Sequence, residues 1–119
     1  MEPYISGEFF AGIPRIPGVE AFAIISADGL PIASYFPQDV DESRIAAMTA
    51  TLLTLSKKAI IEMKKGKFDE TYIKGSEGYL LVMQAGPNAI LIVSIGKDVR
   101  LGSLLLDCRR ICEKIAKLI

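Results

Sequence analysis

Apolar and polar positions along the chain follow two rhythms. Glu20 to Ser26, EAFAIIS, and Leu30 to Phe36, LPIASYF, are short apolar runs, and the Asp28-Gly29 between them is a strong hairpin signal. Pro31 has no N–H to give to a ladder, which predicts that the second of these strands lies at a sheet edge. Phe68 to Gly75, FDETYIKG, reads as a third strand that mixes charges with less polar residues. Tyr79 to Ala85 and Ala89 to Ile95, joined across Gly86-Pro87-Asn88, contain runs that do not alternate, YLLVM and AILIVSI. A strand that is apolar on both faces needs cover on both, so these two are expected at the centre of the sheet with helices above and below.

The slower rhythm marks two helices. One is predicted from Asp41 to about Lys65, with Asp39 or Asp41 as its cap, an Asp39–Glu42 spacing that resembles a capping box, and Gly66 as its stop. The other is predicted from Val99 to about Leu118, capped by Asp98. Its stripe of Leu101, Leu104, Leu105, Cys108, Ile111, Cys112, Ile115 and Leu118 repeats at steps of three and four. Ahead of the first strand, Pro3, Pro14 and Pro17 and the glycines Gly7, Gly12 and Gly18 break the segment, which holds at most one short helical turn near Ser6 to Ala11. The resulting order is β-β-α-β-β-β-α. It is an α+β domain over residues 18–119, preceded by an irregular segment over residues 1–17.

The first helix departs from an ordinary amphipathic pattern. From Ile45 to Ser56, IAAMTATLLTLS, 12 residues carry no charge. Ile45, Met48, Leu52, Leu53, Leu55, Ala59, Ile60 and Met63 form a broad face expected to pack on the sheet. On the far side stand Ala47, Ala50, Thr51, Thr54 and Ile61, where Lys and Glu normally sit. Such a surface is either a plain strip of Ala and Thr or the seat of a second copy of the same helix, which small residues allow to approach closely. The third strand, on the expected second edge, offers open ladder groups to another chain.

Composition narrows the chemistry. Among 119 residues, 14 are Lys or Arg and 14 are Asp or Glu, so the net charge is zero and the basic excess of a nucleic-acid binder is missing. There is no histidine, which removes Ser-His-Asp and Cys-His catalysis and the commonest metal ligand. Cys108 and Cys112, one turn apart, read as small core residues. A tetrahedral site would need two more soft ligands, and none exists. SIGKD, Ser94 to Asp98, lacks the glycine and the Ser or Thr of a phosphate loop and reads as a strand-to-helix turn. The pairs Asp39/Asp41 and Asp69/Glu70 read as cap and strand polarity. No segment reads as a membrane span or a secretory signal, so a cytoplasmic setting is expected. In ISADGLPIAS, Ser26 and Asp28 look like a polar pair but have no base to work with. The expected role is a type I turn followed by a Gly29 bulge, with Asp28 accepting local hydrogen bonds.

Three stretches together resemble Roadblock/LC7 domains, the dynein-light-chain Roadblock type. GVEAFAIISADGLPIAS, Gly18 to Ser34, is similar to their opening hairpin. DESRIAAMTATLLTLSKKAI, Asp41 to Ile60, resembles their long middle helix. GYLLVMQAGPNAILIVSIGKDVRLGSLLLDCRRICEKI, Gly78 to Ile115, resembles their closing strands and helix. The resemblance implies a five-stranded antiparallel sheet between helices, of profilin- or longin-like order. It also implies homodimers or heterodimers joined through the third strand and long helix, and non-catalytic partnership with Ras-like small GTPases or larger complexes, without a cofactor. The interface residues offered on this basis are Arg44, Ala47, Ala50, Thr51, Thr54, Lys58 and Ile61 of the helix and Thr71, Tyr72 and Ile73 of the strand. The sequence does not divide them between a second copy and a different partner. Family members begin with a full helix. The short, proline-broken segment here is expected to leave one flank of the sheet partly uncovered, or capped by Tyr4, Phe9 and Phe10. The Lys and Ile content leans towards a prokaryotic source. The alternative expectation is a small-molecule sensor domain with a cavity beside the sheet, where the first helix is missing.

Overall fold

The computed structural model of the protein describes residues 12–119 except Pro14 and Gln38. The predicted turn near Ser6 to Ala11 and the proposed caps Tyr4, Phe9 and Phe10 lie outside the described residues. The elements follow the expected order. They are β1 (Val19–Ser26), β2 (Pro31–Tyr35), α1 (Glu42–Glu62), β3 (Glu70–Gly75), β4 (Gly78–Gln84), β5 (Ala89–Gly96) and α2 (Leu101–Leu118). All strand pairs are antiparallel, in the order β2-β1-β5-β4-β3. β2, with Pro31, is one edge and β3 is the other, as the pattern predicted. The centre is β5, flanked by β1 and β4.

The first hairpin is built as its sequence requires. Gly29 N–H donates to Ser26 O at 2.9 Å, and Gly29 takes φ +87°, a left-handed value that L side chains avoid. Ser26 N–H donates to Leu30 O at 2.8 Å past Gly29, the bulge that follows such a turn, and the register slips once more at Ile32, unmatched between Pro31 and Ala33. The local side-chain acceptor is Ser26 Oγ, which takes the Leu30 N–H at 3.1 Å, rather than the expected Asp28. Asp41 is the cap of α1, with Oδ1 accepting the Arg44 N–H at 3.2 Å. The expected cap at Asp98 is not made. The position before α2 is Arg100, which makes no side-chain cap bond.

The two faces of the sheet are covered unequally. On the α2 side, Phe22, Ile24, Leu81, Met83, Leu91, Val93 and Ile95 pack against Leu104, Cys108, Ile111, Cys112 and Ile115 of the predicted stripe. Ile13 is buried in this layer and Ile16 packs against it, so the turns ahead of β1 supply cover to that flank. On the α1 side the buried set is smaller. It comprises Ala23, Ile25, Val82, Ile90 and Ile92 of the sheet and only Ala46 and Leu53 of the helix, together with the buried Thr49. Burial is the main driving force of folding, so α2 carries more of the stability and α1 sits on a thinner seat.

Candidate functional site

The seat of α1 decides what stays open. Its fully buried positions are Ala46, Thr49 and Leu53. Thr49 Oγ1 donates back to Ile45 O at 2.7 Å, so its buried hydroxyl is satisfied within the helix. Two small residues out of three place the helix close over the sheet at one line of contact, leaving the larger apolar residues beside that line. Met48 and Leu55 are each 59% exposed, and Ile61 and Met63 are exposed more still. This corrects the expected sheet-facing surface. Leu53 and, in part, Ile60, Ile45 and Leu52 face inward, but Met48, Leu55, Ala59 and Met63 do not. One helix face cannot span so wide an arc, and the small residues won the contact.

Beside the helix, Ile73 of β3 and Leu80 of β4 rise from the same sheet face, each more than a third exposed. Ile45, Met48, Leu52 and Leu55 form the other wall, and Ile92 the floor, of an apolar groove of about 570 Å³ that opens along β3. At its end, Phe36, Pro37, Val40, Glu20 and Ser94 enclose a smaller hollow of about 250 Å³ that shares Ile45, Leu80 and Ile92 with the groove. This hollow lies at the start of α1. It is below the roughly 300–1,000 Å³ of small-molecule sites. On the opposite face, a depression with an apolar floor of Ile13, Ile16 and Ile111 lies between the turns ahead of β1 and α2, rimmed by Arg15, Asp107, Arg110 and Lys114.

Strand β3 is pinned at both faces. Thr71 Oγ1 donates to Ser56 Oγ of α1 at 2.8 Å. Across the strand, Arg109 Nη2 of α2 donates to Glu70 Oε1 at 2.8 Å, and the Tyr72 hydroxyl donates to the same oxygen at 3.3 Å. The bond to Glu70 pushes the Arg109 guanidinium further above its ordinary value. Burial, followed by the charge of Glu70, raises Tyr72. Lys74 Nζ lies 5.9 Å from the Tyr79 ring centroid, a cation–π distance. β3 pairs with β4 alone, and its other edge is unpaired among the described residues.

The structure brings most of the predicted interface residues together. Arg44, Ala47, Thr51, Thr54, Lys58 and Ile61 are exposed along one flank of α1. Thr51 and Thr54 donate their hydroxyls back to Ala47 O and Ala50 O, both at 3.0 Å, and so present mainly methyl groups outward. Ala50 differs. It is half-buried against the hairpin, its Cβ 3.3 Å from where a Cβ on Gly29 would stand. Thr71 and Ile73 face the groove side, while Tyr72 points to the α2 side. The residues missed from sequence are Met48, Leu52, Leu55 and Leu80, which had been assigned to the core. The available signal was the width of the uncharged arc. Cys108 and Cys112 are buried in the α2 layer as expected, and burial pushes their thiols up to about 11 and about 12. Among the described residues no helix is long and apolar enough to cross a membrane, and no group of three or more acidic, Cys or His side chains is placed to hold a metal.

Known proteins match this arrangement along most of its length. An uncharacterized protein of Methanocaldococcus jannaschii is 32% identical over 101 residues, covering 85% of this chain and 88% of the relative. The gliding protein MglB of Thermus thermophilus shares the fold with a TM-score of 0.83 at 21% identity, covering 99% of this chain and 97% of that one. A structure of MglB in a tetrameric arrangement gives 0.84 at 21% identity, covering 99% and 96%. The Roadblock/LC7 domain profile matches residues 6–94, and the chain belongs to the Roadblock/LC7 domain family.

Proposed function

We propose that the protein is a homodimeric, non-catalytic platform that binds and regulates a Ras-like small GTPase. The observation that carries this reading is the apolar groove between α1 and β3, which runs into an unpaired strand edge. Met48, Leu55, Ile73 and Leu80 are a contiguous exposed apolar surface on a small domain, which marks a protein contact. A second copy, related by a two-fold axis at the β3 edge, lays its own α1 beside the first, and each helix closes the groove of the other. The polar flank of α1, with Arg44, Thr51, Thr54 and Lys58, then stays at the rim of a doubled helical surface and supplies the partner contact. Family membership and the fold shared with MglB support a GTPase as that partner. A regulator of this kind acts by holding the GTPase's own catalytic loop in place, since no arginine of this chain stands in a distinctive loop.

The test has two stages. Light scattering gives a mass of twice 12.9 kDa. Capture from the source cell with a GTP analogue, but not with GDP, then recovers a Ras-like GTPase identified by mass spectrometry, whose GTP hydrolysis changes on adding the protein. A monomer overturns the first stage. A dimer that recovers no GTPase in either nucleotide state, or that carries a small ligand instead, overturns the second.

A further inference from the structure

We propose that the hollow at the start of α1 docks a partner protein through one aromatic side chain, tryptophan or tyrosine, flanked by lysines or arginines in the partner's sequence. The site adjoins the groove but depends on neither the homodimer nor the GTPase.

The hollow exists because α1 begins too late to cover the whole sheet. Two neighbouring rows of side chains cross the strands on the α1 face. Val82, Ile92 and Ala23 are register partners in one row, and Ala46 and Leu53 of α1 close over them. Leu80, Ser94 and Ala21 are partners in the next row, two residues away along each strand. Phe36, one residue beyond β2, continues that row past Ala21. The helix starts at Glu42 and reaches this second row through Ile45. The middle of the row is two small side chains, Ala21 and Ser94, between two large ones, Leu80 and Phe36. A depression with raised ends results, bounded along its side by Pro37 and Val40.

Its chemistry selects the occupant. A dry cavity of roughly 150 Å³ takes a benzene ring. The hollow, at about 250 Å³, therefore accommodates one large aromatic side chain and little more. Its polar lining residues are Ser94 on the floor and Glu20 at the rim. A tryptophan N–H or tyrosine O–H that enters finds the Ser94 hydroxyl as its acceptor.

The rim adds a sign. Asp39 and Asp41 flank Val40, Glu42 follows, and Glu20 stands in the bulge between Val19 and Ala21. All four are exposed, and none is ion-paired among the described residues. Asp41 caps α1 and Glu42 sits in its first turn, where the helix dipole favours acids in any case. Glu20 and Asp39 have no such reason. Arg44 is the one base in the run 39–44, and Lys97 lies beyond Glu20 in a separate depression. The surplus of carboxylates attracts a basic flank and repels an acidic one. The row runs from β4 towards β2, away from the β3 edge, so a partner reaches it on one chain or on a pair of chains.

A tryptophan peptide tests the site, because the chain has no tryptophan of its own and the peptide's emission reports its own burial. The probe is Lys-Lys-Trp-Lys-Lys, blocked at both ends. On titration with the full chain its emission shifts to the blue and saturates. In methyl NMR spectra Ala21 and Val40 move, while Met48 and Leu55 of the groove stay. Exchanging Trp for Gly in the peptide weakens binding ~10–100-fold, the worth of burying one large apolar side chain. The peptide Glu-Glu-Trp-Glu-Glu binds about tenfold more weakly or worse. Ala21→Leu and Ser94→Leu each fill the floor and abolish the shift. Ser94 is half-buried, so its variant serves if circular dichroism shows that Ala21→Leu is unfolded. An emission that does not shift overturns the site, as do methyl shifts at Met48 and Leu55 in place of Ala21 and Val40, or undiminished binding to a folded Ser94→Leu chain. Equal binding of the two peptides of opposite charge overturns the basic flank. Indole that binds as tightly as the peptide makes the occupant a small aromatic ligand and overturns the protein partner. None of these outcomes bears on recovery of the GTPase.

Discussion

Replacing Leu55 by Ala tests whether the groove is closed by a second copy. Leu55 is 59% exposed in the single chain, so more than half of its side chain gains nothing from folding. Leu to Ala removes three carbons, worth ~0.8 kcal/mol each when fully buried. Scaled to the exposed share, about 1.4 kcal/mol per copy is available on association, and two-fold symmetry doubles it to about 3 kcal/mol. The dimer dissociation constant should therefore rise by about two orders of magnitude. The fold of the monomer should lose only about 1 kcal/mol, the buried share of the same three carbons. Sedimentation over a dilution series measures the first quantity, and urea unfolding of the dilute, monomeric protein measures the second. Lys58→Ala, on the polar flank and outside the groove lining, is the control and should move neither by much. If Leu55→Ala dissociates at the wild-type concentration, the groove is not the dimer seat, whatever the mass of the wild type.

Four further outcomes follow from the packing. Thr54→Glu, on the exposed polar flank, should leave the dimer and the monomer stability intact and weaken recovery of the GTPase, whereas Ala50→Glu should lower the urea midpoint of the monomer itself, because Ala50 is wedged against the hairpin. Gly29→Ala should cost ~1 kcal/mol or more by urea unfolding, since φ +87° strains any L side chain and the added Cβ meets Ala50 at 3.3 Å. Ala46→Leu, at a position 1% exposed under the helix, should cost ~1–3 kcal/mol by the same assay. Cys108 and Cys112 should resist iodoacetamide at pH 8 until the chain is unfolded. Their thiols also stay neutral in the fold up to about 11 and about 12, while the unfolded chain ionises from about pH 9, so stability should fall as pH rises through that window.

Each of the described elements was legible because each had a local cause. Asp28-Gly29 makes a hairpin, Pro31 makes an edge, and YLLVM and AILIVSI demand cover on two faces. The element ends were less legible where a cap was chosen among neighbours. Asp39 and Asp41 are equivalent on paper, and only the path of the chain gives the bond to Asp41. Asp98 looked like a cap, but α2 begins too late for it to serve, at Leu101. The candidate surface was half legible. The absence of charge from Ile45 to Ser56 identified the helix. Its inward face was misassigned, because periodicity ranks residues by size while the sheet selected Ala46 and Thr49 for close approach.

That selection links the two halves of the candidate surface. Had α1 packed through Met48 and Leu55, it would have stood further off the sheet, covered Leu80 and Ile73, and left a polar back. Seated instead on Ala46 and Thr49, it leaves its largest residues level with the β3 edge, where Thr71 bonds to Ser56 and holds strand and helix in one plane of approach. An occupant must therefore satisfy two demands together, an apolar body for the groove and a strand or strand-like backbone for the edge. A nucleic acid meets neither, and a small ligand meets only the first. A second copy of this chain meets both, since it carries the same exposed leucine and methionine beside the same open strand.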